Sequence, residues 1–123
     1  MDALDVITPE KLISLAEDKG KSFKSIKTNQ IRNFFSAVIS IKNKVQMMGI
    51  YFKENEVKSD LLFLKPKIAY AAGRQPKTVK PFKEFIDETI DAWMKAADKR
   101  KATKNFFILI EGIIAYHKFH GGD

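Results

Sequence analysis

Two histidines and fifteen acidic side chains are the groups this chain of 123 residues offers for metal binding and for acid–base chemistry near neutral pH, and it has no cysteine. Without thiols there can be no disulfide, thiolate nucleophile or sulfur-ligated metal. His117 and His120 follow Glu111 in "EGIIAYHKFH", which holds the ligand types of a two-histidine, one-carboxylate centre. Helical geometry argues against it, because Glu111 and His117 project to different sides of a helix. His117 reads instead as a helix-end residue interacting with the dipole or with a bound phosphate. Glu84, Asp87, Glu88 and Asp91 recur at spacings of three and four. That spacing could bind a divalent ion, but it more commonly marks an exposed acidic helix face. Phosphate-binding glycine loops, G-x-S-x-G, H-E-x-x-H and D-F-G are missing. So is the arginine-to-histidine spacing of one class of helical RNases. The expectation is a protein that is not an enzyme and takes no metal and no cofactor.

The cations say more. Lys and Arg number 22 against 15 acids, giving a formal charge of +7 and a pI near 9.6. This balance points to a polyanionic partner, nucleic acid first. Residues 19–53 carry eight basic side chains (Lys19, Lys21, Lys24, Lys27, Arg32, Lys42, Lys44, Lys53) and no acid. Residues 61–83 carry six more (Lys65, Lys67, Arg74, Lys77, Lys80, Lys83), again with no acid. Such segregation can sum to a continuous field along one surface. For any single lysine, a solvated helix face remains the ordinary reading.

Helices must position these charges. Thr8-Pro9 reads as an N-cap followed by proline at the first helical position, opening a helix that ends at Gly20. After a basic connector, with Thr28 as a candidate cap, apolar residues at 31, 34, 35, 38, 41, 45 and 48 fit a helix that Gly49 stops. Residues 50–60 read as a connector with Ile50, Tyr51 and Phe52 packed down. Ser59 or Asp60 would cap a helix in which Leu61, Leu64, Ile68 and Ala72 share a face. Pro66 would bend or restart that helix. Thr78 would open the clearest amphipathic helix, with Val79, Phe82, Phe85, Ile86, Ile90, Trp93, Met94 and Ala97 in one stripe and Pro81 in the first turn.

Thr103 or Asn105 would cap a last helix running to about residue 119. Its residues 106–116 are apolar on more than one face, so it is central in a bundle or shared with a partner. Gly112 inside it suggests a close helix crossing. The predicted fold is an all-α, single-domain bundle of about five helices over residues 1–123, kinked at Pro66. Pairing of "GIYF" with "LLFL" as short strands is the alternative for residues 50–64. No targeting segment or apolar run of membrane-spanning length is present, so a soluble cytoplasmic protein without membrane contact is expected.

Three phrases carry a family resemblance: "TNQIRNFF" (28–35), "LLFLKPKIAYAAGR" (61–74) and "FFILIEGIIAYHKFHGG" (106–122). In order and spacing they resemble the small subunit of type III-A CRISPR effector complexes, the Csm family, over roughly residues 25–122. The resemblance implies an all-helical, non-catalytic subunit, present in several copies along a ribonucleoprotein filament used in antiviral defence. Its partners would be crRNA and target RNA, through their phosphate backbones, and the backbone and large Csm subunits. Arg32, Lys65, Lys67, Arg74 and Lys118 fall on the matching phrases and take phosphate-contacting roles by resemblance, Lys27 and Lys77 joining them from the acid-free blocks. Tyr70 and Tyr116 could stack on a base, core packing being the ordinary alternative. The apolar surface of residues 106–116 further suggests self-association, including a homodimer of the isolated chain. Two other functions fit the residues alone: a small helix-turn-helix DNA-binding regulator, or a structural helical oligomer with no nucleic-acid role.

Overall fold

Thr8 accepts a hydrogen bond from the Lys11 backbone N–H at 3.3 Å and Pro9 takes the first helical position, so α1 (Pro9–Ser22) begins where its cap dictates. A computed structural model describes residues 1–122. Within them lie five more helices: α2 (Arg32–Met48), α3 (Glu54–Leu62), α4 (Leu64–Arg74), α5 (Pro76–Met94) and α6 (Lys99–Phe119). Short 3₁₀ turns at Leu4–Val6 and Thr28–Gln30 precede α1 and α2. There is no strand among the described residues, so the bundle is all-α.

Several boundaries differ from the sequence reading, each for a local reason. Gly20 lies inside α1 and does not end it, because it is needed for a close approach described below. Residues 54–60, expected as connector and cap, join Leu61 and Leu62 in α3, in which Val57 and Leu61 are buried. Of the expected packed trio only Phe52 is partly covered, beneath the Arg100 guanidinium at 5.1 Å, while Ile50 and Tyr51 are exposed. The chain breaks at Phe63, and Pro66 is the third residue of α4. A proline there removes an N–H that has no intrahelical partner anyway, so the helix restarts at little cost and is not strained in its middle.

Helix α5 starts two residues earlier than Thr78, with Pro76 at its first position, which moves Pro81 out of the first turn into the helix. Helix α6 starts at Lys99 because Asp98 accepts from the Lys101 N–H at 3.0 Å, a cap upstream of the expected Thr103 or Asn105. Gly49 does stop α2: its φ of 55° is left-handed, where glycine is unstrained.

The packing is organised around α6. Its largest interface is with α1, and it also meets α5 and the N-terminal turn. The α1–α6 backbones cross so closely that a Cβ on Gly20 would lie 2.6 Å from Tyr116 Cβ and 2.9 Å from the Ile113 carbonyl. A Cβ on Gly112 would lie 2.8 Å from Ala16 Cβ. Phe106, Phe107, Leu109, Ile110 and Ile113 are thereby buried, each contributing about 1.5–3 kcal/mol of apolar transfer. The broad apolar surface of α6 is thus covered within the chain, which removes the basis for self-association through residues 106–116.

A second cluster ties α1, α2 and α5 together: Phe23 and Phe34 each meet Phe82 edge-on, at 5.3 and 5.6 Å between centroids. Two buried polar groups find partners inside the bundle, Trp93 Nε1 donating to Thr103 Oγ1 (2.9 Å) and Asn105 Nδ2 to the Leu4 carbonyl (2.9 Å). Asp5 is also buried and accepts from the Asp98 N–H at 2.9 Å, which holds its carboxyl below the usual range despite desolvation.

The crossing makes Gly20→Ala destabilising by about 1–3 kcal/mol in chemical denaturation, although alanine is the better helix former. Gly112→Ala should be rescued in part by Ala16→Gly, whereas additive losses would show that the two helices do not touch there. The Asp5 contribution is complete above the ordinary carboxylate pKa of about 3.9 and is lost as pH falls through the depressed folded-state value. Asp5→Asn should therefore flatten the fall in stability below about pH 4, and an unchanged acid profile would contradict this.

Candidate nucleic-acid interface

Folding brings acids to some of the acid-free segments, and this sorts the cations. Lys44 pairs with Glu56 at 2.7 Å and Asp60 at 3.0 Å; hydrogen bonding to Glu56 first, then Asp60, raises its pKa. Lys42 pairs with Glu111 and Lys83 with Asp87. Lys65, expected on the phosphate surface, turns toward α5 and meets Asp91 at 2.9 Å. The acidic stripe of α5 is largely used in this way, since Glu88 also pairs with the N-terminal amine at 3.1 Å.

The histidine–carboxylate set disperses. Glu111 faces Lys42, while His117 is buried with Nε2 2.7 Å from the Ile26 carbonyl. That contact requires the proton on Nε2, so the ring donates to the segment following α1. It is a structural clamp and not the dipole or phosphate contact expected of a helix-end histidine.

Three of the expected residues converge. Arg32, Lys67 and Arg74 line one groove of about 930 Å³ between the start of α2 and the outer face of α4. All three are exposed, and among the described residues no carboxylate pairs with any of them. The remaining lining is Asn29, Gln30, Ile31, Asn33, Phe34, Ser36, Ala37, Ser40, Pro66, Tyr70, Ala71 and Gln75, with no acid among them.

Local structure explains the arrangement. Gln30 Oε1 accepts from the Lys27 N–H at 3.0 Å, closing the turn that delivers the chain to α2. Arg32 is the first residue of α2, and no side chain caps that N-terminus. The backbone N–H groups and the positive end of the dipole therefore add to the field of the arginine. Across the groove, Lys67 and Arg74 are seven residues apart on α4, two turns of one face. Leu64, Ile68 and Ala72 bury the opposite face of α4, which keeps this row rigid. A guanidinium at each wall can grip a phosphate through two N–H groups, and an acid-free lining leaves the field uncancelled.

The other expected residues lie elsewhere. Lys118 borders a separate apolar depression with Thr28, Phe35 and His117. Lys27 and Lys77 are exposed beside the groove's terminal segments without lining it. Sequence reasoning missed the amides Asn29, Gln30 and Asn33, although their density in "TNQIRN" just before an uncapped helix was a usable signal. It also favoured core packing for Tyr70, which is 66% exposed within the groove; Tyr116, by contrast, is partly buried at the α1 crossing.

No described helix is long and apolar enough to cross a membrane, and no solved structure is matched by the chain. Among curated proteins, "CRISPR system Cms protein Csm2" of Enterococcus italicus is 30% identical over 104 residues, covering 80% of this chain and 70% of that protein. The protein of the same name from Streptococcus thermophilus is 29% identical over 114 residues, covering 92% of this chain and 88% of the relative. The family model described as Csm2 Type III-A matches residues 7–123, and the chain belongs to that family of type III-A CRISPR proteins.

Proposed function

We propose that the chain is a non-catalytic RNA-binding subunit of a type III-A CRISPR ribonucleoprotein. It would contact the phosphate backbone of crRNA and its target without reading sequence, and would assemble with other Csm subunits. The observation that carries this reading is the convergence of Arg32, Lys67, Arg74 and the uncapped α2 N-terminus on one acid-free groove. A guide–target duplex already reads its sequence by pairing, so a scaffold protein needs charge and shape complementary to an A-form backbone. Fixed helices supply both. Lys118, Lys27 and Lys77 would extend the field as secondary contacts, while Lys65 would have to exchange Asp91 for phosphate.

Self-association of the isolated chain is part of the same proposal, with its surface moved. Met47, Ile50 and Tyr51, at the end of α2, are 88%, 82% and 75% exposed and offer an apolar contact that residues 106–116 do not.

Replacing Arg32 or Arg74 by alanine should weaken binding to unrelated RNA sequences about equally, and lower the slope of log K against log salt by roughly one unit. Losses confined to one sequence, or an unchanged slope, would refute the phosphate role. Lys65→Ala should cost clearly less than Lys67→Ala in the same titration, because Lys65 is engaged with Asp91. For self-association, sedimentation at rising concentration should show a dimer that Met47→Glu disperses; a wild-type chain that stays monomeric at high micromolar concentration would contradict it.

A further inference from the structure

Resting on the RNA-binding reading above, we infer that Tyr70 is a stacking platform for one unpaired nucleotide base within the groove. A tyrosine this exposed has little role in the core: its neighbours Leu64, Ile68 and Ala72 provide the packing of α4, and Tyr70 stands on the opposite side. It lies between two cations in a single row, Lys67 three residues before and Arg74 four residues after, which places all three on one helix face. The rise of an α-helix separates Lys67 from Arg74 by about 10 Å, leaving one ring-sized position between two phosphate-binding side chains.

The ring is also held. Arg74 Nη1 lies 3.4 Å from the Tyr70 hydroxyl, and the guanidinium carbon is 5.9 Å from the ring centroid. That is near the outer limit of about 6 Å for a cation–π contact, so the arginine steadies the ring without blanketing it.

An aromatic ring between cations in an acid-free groove is the arrangement that binds single-stranded nucleic acid: charge tracks the backbone, and a base of any identity stacks on the ring. Bases within an A-form duplex are already stacked and closed to such a contact. The nucleotide on Tyr70 must therefore be unpaired, either in single-stranded RNA or displaced from a duplex. Asn29 and Asn33 also line the groove, and their side-chain amides carry both donor and acceptor groups.

The test compares two labelled 15-nucleotide probes of equal charge, oligouridine and its abasic counterpart, binding to the full chain by fluorescence anisotropy. Wild type should bind the base-bearing probe at least about fivefold more tightly, the lower end of what stacking of one base supplies. Tyr70→Ala should abolish that difference, and Tyr70→Phe and Tyr70→Trp should keep it. Arg32→Ala should weaken both probes equally. Equal wild-type affinity for the two probes, or a preference that survives Tyr70→Ala, would overturn the stacking role while the phosphate reading stands. Absence of binding to either probe would overturn both.

Discussion

The near-contact of the α1 and α6 backbones is the constraint on which the rest of the molecule depends. Gly20 and Gly112, facing Ala16, Ile113 and Tyr116, allow an approach that any larger side chain would push apart. With the helices this close, α6 is enclosed within the chain, and His117 at its end is brought to the Ile26 carbonyl. That clamp fixes the segment following α1, which leads directly into the Thr28–Gln30 turn and the start of α2. The position of Arg32 thus follows from small residues in helices that do not line the groove. The aromatic cluster of Phe23, Phe34 and Phe82 carries the same constraint across to α5, against which α4 packs with its Lys67 and Arg74.

Electrostatics then separates structural from available charge. In sequence, Lys42, Lys44, Lys65 and Lys83 stand in the same acid-free segments as Arg32, Lys67 and Arg74. In space the first group meets Glu111, Glu56, Asp60, Asp91 and Asp87, while the second meets no acid among the described residues. The exposed pairs contribute little stability, because solvent screens them and ordering two long side chains opposes the attraction. Their larger effect is on the field: neutralising four lysines outside the groove concentrates the unbalanced positive charge inside it.

The all-α fold was legible because apolar spacing is a property of the chain itself. The stripes of α2 and α5 buried nearly the residues their periodicity marked, and Gly112 announced a close crossing. Boundaries were less legible, because Asp98, Pro76 and Phe63 act through cap and turn geometry that weak patterns leave ambiguous. The groove was half legible. Arg32, Lys67 and Arg74 could be named, but their convergence, and the diversion of Lys65 to Asp91, depend on how α2, α4 and α5 pack. Tyr70 was misjudged because an amphipathic ring in an apolar phrase gives no sign of which face of α4 it will occupy.

The claim at the centre is that RNA lies along the groove between α2 and α4. Backbone amide shifts of the ¹⁵N-labelled chain, followed as an unrelated RNA oligonucleotide is added, test it most directly. The expected result is perturbation concentrated at residues 29–37 and 66–75, with the α1–α6 crossing and the acidic face of α5 unaffected. Perturbation centred on other surfaces, with these two segments unchanged, would contradict it.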